Sequence, residues 1–436
     1  MKLKILASDW HPFADALCAR TDVESAGIIL AERLPDSVLL ARRLTPLADA
    51  AYAIRKRDRI RIDPVALNRL VKPARERGLS VFTVHTHPAA NEAWFSTADD
   101  LGDSVLMPSL LTQMDGPHGS LVIATNSRAV AARAWYASGS PVPAQIHLIG
   151  KTLRVLTSED EQPEQMWFDR QRLALGESGQ RILRQLHVGV VGLGGTGSVT
   201  FAQLVHLGVG RITVIDGDRA EATNISRILG ARTSDAGVTW KVDIALRYAT
   251  NVGLGTEVTV HRGRLGAEVT PAVLGGCDAI FSCVDAHLPR ALLNRLAYEK
   301  AILLFDMGSA FRITAGSPME GAGRVVVTGP GRRCLACWGH IDPNRIRVES
   351  LPPDERARQQ AEGYVAGADV PQPSVVAFNT QVAGAAVIEF LRCVTEFCGA
   401  DDPPDRLSFD FGNGSVRRNR LAGDTDCGIC HPKVAA

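Results

Sequence analysis

The 436-residue chain carries almost no net charge, +1 from 48 basic and 47 acidic residues. A balance this even gives no electrostatic case for nucleic acid as a partner. No apolar stretch approaches the ~20 residues that a membrane-spanning helix needs; the longest candidate, residues 382–391, is interrupted by Glu389. The first thirteen residues contain two lysines but only a three-residue apolar run, Ile5-Leu6-Ala7, well short of the ~7–15 residues of a signal-peptide core. We therefore expect a cytoplasmic protein that neither spans a membrane nor is exported. In such a chain, the nine cysteines are better explained by metal, catalysis or burial than by disulfides. No internal repeat is present.

With 45% hydrophobic and 22% charged residues, the composition is that of a soluble globular protein. Its length suggests more than one core. An alternating, β-rich pattern runs to about residue 149, through residues 25–30, 80–84 and 120–124, with a helix expected over Pro64–Arg77. Residues 157–165, TSEDEQPEQ, are acidic and contain Pro163, the composition of a solvated connection. Beyond residue 187, apolar β-branched runs at 188–191, 212–215, 279–283 and 303–305 alternate with helical segments, as in a doubly wound parallel sheet. The expected layout is an α/β protein with a mixed α/β domain over residues 1–156, a linker at 157–165 and a Rossmann-like domain over 166–436.

Residues 81–87, VFTVHTH, have the pattern of a strand, and alternate strand residues share a face, so His85 and His87 point to one spot. After Pro88 and a further spacer come Ser96-Thr97-Ala98-Asp99, where a helix start brings a carboxylate to the same place. Two histidines, an aspartate and a water make an open, tetrahedral catalytic zinc site. Glu24, in the apolar segment VESAGIIL, suits the base that takes a proton from that water; Glu32 and Glu76 are other upstream glutamates. The Ser96-x-x-Asp99 spacing also describes an ordinary helix capping box. Taken together, H-x-H-P, S-x-x-D and the upstream glutamate resemble the JAB/JAMM metallopeptidases, prokaryotic deubiquitinase-like members included. That resemblance implies a JAB/MPN-like fold, zinc on His85, His87 and Asp99, Glu24 as acid/base, and Ser96 hydrogen-bonding the oxyanion.

A second constellation begins where residues 188–191 run into Gly192-Leu193-Gly194-Gly195-Thr196-Gly197. Glycines there let backbone approach phosphates, and a following helix N-terminus favours their charge. Asp216 ends the next strand, about where an acidic side chain meets a ribose hydroxyl. To this point a nicotinamide-binding fold is equally served. Asp218, then Asn224-Ile225-Ser226-Arg227, then Lys241 add an amide and two cations, which suit a triphosphate that must be broken. Asp285 follows the strand at 279–283 at its carboxyl end, a place to hold Mg²⁺.

These features resemble the ThiF/MoeB and ubiquitin-activating adenylation family over about residues 168–430. The resemblance implies ATP-Mg²⁺ bound by the Gly192, Gly194, Gly195 and Gly197 loop. It also implies ribose on Asp216 with Asp218 beside it, phosphates on Asn224, Arg227 and Lys241, and Mg²⁺ on Asp285. Arg170 resembles the arginine that family members insert into the neighbouring subunit's ATP site, so a homodimer is implied. The reaction implied is attack of a C-terminal carboxylate on the α-phosphate.

Cys334-x-x-Cys337 and Cys427-x-x-Cys430 offer four thiolates for a closed structural zinc site, and the cysteine pairs speak against a dehydrogenase. Ubiquitin-activating enzymes also use a cysteine in the loop after the first pair, but residues 338–373 contain none. Cys277, Cys283, Cys393 and Cys398 have the surroundings of buried thiols. The expected activity is a pairing of opposites on a ubiquitin-like protein of a bacterial modification system. One domain cuts at its C-terminal tail and the other adenylates it, for transfer to a separate conjugating enzyme or sulfur donor. Antiphage defence is suggested by the kind of fusion; processing of a sulfur carrier for thiocarboxylate biosynthesis is the alternative, and a nucleotide-fold scaffold a third.

Overall fold

A computed structural model describes residues 1–137, 139–157, 166–312, 320–361, 373–395, 397–399, 404–421 and 426–431. The chain divides into two compact units, Met1–Pro163 and Glu164–Ala436. From residue 158 onward, the expected connection at 157–165 lies outside the described residues.

The first unit is built on a nine-stranded mixed sheet. In spatial order its strands are Leu153–Val155, Gln145–Ile149, Lys2–Leu6, Val38–Pro46, Ala26–Leu34, Ser80–His87, His118–Ala124, Val130–Trp135 and Val142–Pro143. Strand alternation sends Ile29, Phe82 and Val84 to one face, where Trp10, Phe13 and Leu17 of helix Ala7–Cys18 cover them. Ile28, Leu30 and Val81 go to the other face, under Val71 of helix Pro64–Arg77 and Met107 and Leu110 of helix Thr97–Gln113. Helix Pro64–Arg77 has the bounds expected, because each end carries its own signal. Asp63 accepts a hydrogen bond from the Ala66 N–H at 2.9 Å, Pro64 opens the first turn, and Gly78 closes the helix in the left-handed conformation at φ 65°. Helix Ala7–Cys18 was not expected, although Trp10, Phe13, Ala14 and Leu17 follow helical spacing.

In the second unit eight strands run in the order Glu257–Arg262, Arg211–Asp216, His187–Val191, Ala279–Ser282, Leu303–Arg312, Glu320–Thr328, Arg406–Asp410 and Ser415–Asn419. The first five are parallel, as expected. The last three pair antiparallel, an extension the apolar runs do not announce because Gly321, Gly323 and a string of arginines break them. Helices Gly195–His206, Lys241–Val252 and His287–Glu299 are the crossovers. Helix Val376–Val394 packs on Leu303–Arg312, where Phe281, Phe305 and Phe390 meet at centroid distances of 5.0–5.8 Å. From His187–Val191 the chain goes to one side first and later returns to the other at Ala279–Ser282. This reversal opens a crevice beyond the carboxyl ends of those two strands, the usual ligand position of open α/β sheets. No helix among the described residues is long and apolar enough to cross a membrane.

Candidate metal centre and nucleotide crevice

Ser80–His87 pairs antiparallel with Ala26–Leu34, setting Ala26 opposite His85, and the Thr86 N–H bonds Ser25 O at 2.9 Å. Both imidazoles emerge at the end of the strand. Helix Thr97–Gln113 starts over them: Ser96 is its N-cap, and the capping box is complete, with Ser96 N–H and Oγ–H both donating to Asp99 Oδ2 at 2.7 Å. The helix-cap reading of S-x-x-D is thus realised, and the capping carboxylate also faces both imidazoles. Asp99 Oδ1 lies 3.0 Å from His85 Nε2, and Oδ2 lies 3.5 Å from His87 Nε2. Burial alone raises the Asp99 carboxyl, but hydrogen bonds from His85, His87 and Ser96 hold it far below the usual range.

One ligand atom from each of His85, His87 and Asp99 falls within 4.8 Å of the others. His85 Nε2 is buried and faces Asp99 Oδ1. Two nitrogens and an oxygen converging from a rigid strand and a capped helix fit a zinc ion with an open position.

Glu24 precedes the Ala26–Leu34 strand and is buried, 8% exposed. Burial pushes its carboxyl up to about 7, opposed by the His85 and His87 imidazoles it faces. Its backbone is pinned on both sides: Glu24 N–H donates to Lys56 O at 2.9 Å, and Arg55 Nε donates to Glu24 O at 3.0 Å. The other upstream glutamates are engaged elsewhere. Glu32 pairs with Arg42 at 2.5 Å, and Glu76 pairs with Lys72 at 3.6 Å along its own helix.

In the second unit, Gly192 leaves strand His187–Val191 at φ +86°, and a Cβ there would stand 2.7 Å from Cys283 O. Gly197 is tighter, since a Cβ would come within 1.8 Å of Gly192 O. Gly194 faces open space, and Gly195 begins helix Gly195–His206. The result is a bare loop at a helix N-terminus, a cradle for phosphate.

Asp216 closes its strand and accepts from the N–H groups of Leu193 at 2.6 Å and Asp218 at 2.8 Å, tying it to the glycine loop. Lys241 Nζ reaches Asp218 Oδ2 at 2.8 Å and Asp216 Oδ1 at 3.7 Å. Burial raises the Asp216 carboxyl against the pull of Lys241. Asp218, although burial works against it, is held down by Lys241 and by Arg264. Asn224 is buried, and Arg227 Nη1 donates to Thr223 O at 2.8 Å. Asp285 is exposed between strand Ala279–Ser282 and helix His287–Glu299. Arg170 is exposed in the first turn of helix Asp169–Gln185.

The four cysteines of the C-x-x-C pairs converge, with sulfur separations of 3.7 Å for Cys334–Cys337, 3.6 Å for Cys334–Cys427 and 3.7 Å for Cys337–Cys430. Four sulfurs each ~2.3 Å from a central zinc in a tetrahedron are separated by roughly 3.8 Å, so the donor set fits the ion. Although burial opposes it, the backbone N–H groups of Cys430 and Ile429 draw the Cys427 thiol down to about 6. The remaining described thiols are of the opposite kind, and burial raises that of Cys18. Burial pushes Cys283 up to about 12 and Cys393 up to about 11, and Cys277 is fully buried. The side chain of Cys398 and residues 362–372 lie outside the described residues.

The sequence profile of the ThiF family matches residues 168–429, more than half of the chain. The chain belongs to the ThiF family. A second profile, prokaryotic homologs of the JAB domain, matches residues 7–138. Similar proteins include the adenylyltransferase and sulfurtransferase MOCS3 of Culex quinquefasciatus, 30% identical over 263 residues, 59% of this chain and 52% of that one. Another is the adenylyltransferase and sulfurtransferase UBA4 of Candida glabrata, 27% identical over 66% of this chain and 64% of that one. The ubiquitin-like modifier-activating enzyme 5 of Oryza sativa subsp. japonica is 27% identical over 41% of this chain and 43% of that one. This ThiF chain thus spans about half the length of the curated relatives it matches. Among solved structures, E. coli MccB with ATP matches with a TM-score of 0.45 and 16% identity, over 61% of this chain and 75% of that one.

Sequence reasoning passed over two groups in the ThiF unit. Asp306, fully buried on strand Leu303–Arg312, accepts from Ser282 Oγ at 2.8 Å, Arg290 Nε at 2.9 Å and Arg324 Nη2 at 2.9 Å. Asn379, 2% exposed, donates to Ser374 Oγ at 2.9 Å and accepts from Ser309 Oγ at 3.2 Å. A charged or amide side chain inside an apolar run is the signal that marks each.

Proposed function

We propose that this ThiF-family chain adenylates the C-terminal carboxylate of a ubiquitin-like protein with ATP, and that its JAB unit is a zinc peptidase cutting at the same kind of tail. The observation that carries the reading is the pair of sites in one chain: a phosphate cradle flanked by Asp216 and Lys241, and a His85–His87–Asp99 cluster with a buried glutamate beside it.

In the adenylation step, a tail carboxylate oxygen forms a bond to the α-phosphorus, the bond to the β-phosphate oxygen breaks, and pyrophosphate leaves. The glycine loop and the N-terminus of helix Gly195–His206 would hold the phosphates, and Asp216 the ribose. Lys241 and Arg227 would offset charge developing at the phosphorus, and Asp285 would hold Mg²⁺, which would supply further positive charge against that of the phosphates. Lys241 is now committed to Asp218, so nucleotide binding exchanges one anionic partner for another. Arg170 is exposed, as an arginine serving the nucleotide of a second copy in a homodimer must be.

In the peptidase, His85, His87 and Asp99 would hold zinc, which supplies a Lewis acid and a water of lowered pKa. Glu24 would take a proton from the attacking water as its oxygen bonds the scissile carbonyl carbon, and deliver it to the amine as the C–N bond breaks. A role for Ser96 at the oxyanion requires its hydroxyl proton to turn from Asp99 to the substrate. The adenylate would pass to a separate thiol protein rather than to a cysteine of this chain, since burial raises the thiols of Cys18, Cys283 and Cys393 and Cys277 is fully buried.

The word sulfurtransferase in the names of MOCS3 and UBA4 supports a second reading, in which the tail belongs to a sulfur carrier and becomes a thiocarboxylate. The test is the intact mass of a small ubiquitin-like protein encoded beside this chain, after incubation with the chain, zinc and ATP-Mg²⁺, next to an Asp99→Ala control. Gain of AMP is expected, with loss of tail residues only where Asp99 is intact. An unchanged mass, with no ATP–pyrophosphate exchange, overturns the adenylation reading.

A further inference from the structure

Arg133 lies on strand Val130–Trp135, two strands away from the histidines, with its side chain 13% exposed. Its guanidinium gathers the beginning of helix Thr97–Gln113. Nη2 and Nε donate to Asp103 Oδ2 at 2.7 and 3.1 Å, and Nη1 donates to Asp100 Oδ1 at 2.5 Å. The same group lies over the ring of Phe95, 3.8 Å from its centroid, and Phe95 is the residue immediately before the N-cap Ser96. Asp103 Oδ2 also accepts from Ser120 Oγ at 2.6 Å. Ser120 sits opposite Arg133 on one side and Thr83 of the histidine strand on the other.

We propose that Arg133 is a positioning residue for the His85–His87–Asp99 centre, an inference that rests on the zinc reading above. The two histidines are fixed by strand pairing, but Asp99 is fixed only through the roll and height of its helix. That helix presents Asp99, Asp100 and Asp103 within its first two turns. Arg133 neutralises two of them and grips the chain on both sides of Asp99, at Phe95 before it and at Asp100 and Asp103 after it. Ser120 closes the path back across the sheet to Thr83, two residues before His85. Arg133 touches none of the three metal-binding side chains; it would set the gap that Asp99 must span to share a metal with them.

The test measures zinc affinity of the full chain by competition with a chelator, using Asp99→Ala to identify the zinc that belongs to the histidine site. Groups that orient metal ligands typically alter affinity by roughly 10- to 100-fold, and a fall in that range is expected for Arg133→Gln at the histidine site. Zinc at the cysteine site should be unaffected, and Arg133→Lys should recover only part of the loss because it keeps the charge without the fork. Should Arg133→Gln fail to fold, the isosteric Asp103→Asn reads the same grip and is expected to weaken the same zinc. A purely structural role predicts a lower unfolding temperature with unchanged zinc affinity, and that result overturns the inference. Equal zinc content in the wild-type chain and Asp99→Ala would instead overturn the zinc reading itself, and this inference with it.

Discussion

The side-chain amide of Asn379 stands where a Cβ on Gly195 would be, with Nδ2 2.1 Å from that position. One buried side chain therefore decides the identity of a residue in the glycine loop, and hydrogen bonds to Ser309 and Ser374 keep it from moving aside. Overfilling a close-packed interior costs roughly 1–3 kcal/mol. Gly195→Ala should raise the KM for ATP in ATP–pyrophosphate exchange by about tenfold or more, and adding Asn379→Ala should return part of the loss. Independent, additive effects of the two substitutions would refute the contact as the cause.

Glu24→Gln should lower peptidase turnover by roughly 10²- to 10⁴-fold, the range for loss of a positioned base, while zinc content stays at the wild-type level. Without metal, burial raises this carboxyl to about 7, and a nearby cation pulls it down by favouring the charged form. The base must be ionised to act, so activity should rise with pH through an acid limb at or below neutrality. A Glu24→Gln variant with wild-type turnover would remove Glu24 from the mechanism.

Asp306 sits between Arg290 and Arg324, and although burial opposes ionisation, the two cations hold its carboxyl below the ordinary value. Because the folded value lies below the unfolded one of about 3.9, this contribution is complete above the unfolded value and fades as pH falls through the folded one. Asp306→Asn leaves two guanidiniums without their anion, a change of the kind that costs about 3–5 kcal/mol. Thermal unfolding of the second unit should register it at pH 7, and the gap between variant and wild type should narrow in acid.

Replacing Cys430 with serine should release one zinc per chain and lower the unfolding midpoint of the second unit, leaving the histidine-site zinc in place. Structural zinc contributes directly to folding free energy, so metal analysis paired with calorimetry reads both effects at once. No loss of zinc would mean the four sulfurs hold none.

With ATP and a ubiquitin-like substrate, no reductant-sensitive adduct should form on this chain. A thioester needs a thiolate, and burial holds Cys283 and Cys393 protonated. A covalent adduct cleaved by dithiothreitol on a non-reducing gel would contradict this.

What could be read from sequence were features whose physics is local. The two-residue period of VFTVHTH, the capping signal at Ser96, and the Asp63–Pro64–Gly78 punctuation each act within one or two turns of chain. Asp216 beside the glycine loop was readable because it ends the next strand, and Lys241 because it follows at the spacing that the family resemblance implies. Arg133, Asn379 and Asp306 stayed hidden because their meaning lies in partners far along the chain: Arg133 is 30 residues from Asp103, and Asn379 is 70 from Ser309. The antiparallel strands were missed because glycines and arginines break the apolar signal on which strand reading depends.

The sheet of the JAB unit tapers at both margins, to three residues at Leu153–Val155 and two at Val142–Pro143. An exposed strand edge is a row of unpaired peptide groups that can recruit a strand from another molecule, and short edges with a proline blunt that recruitment. If the unit receives extended tails from other proteins, as proposed, its own rims are thereby kept from polymerising.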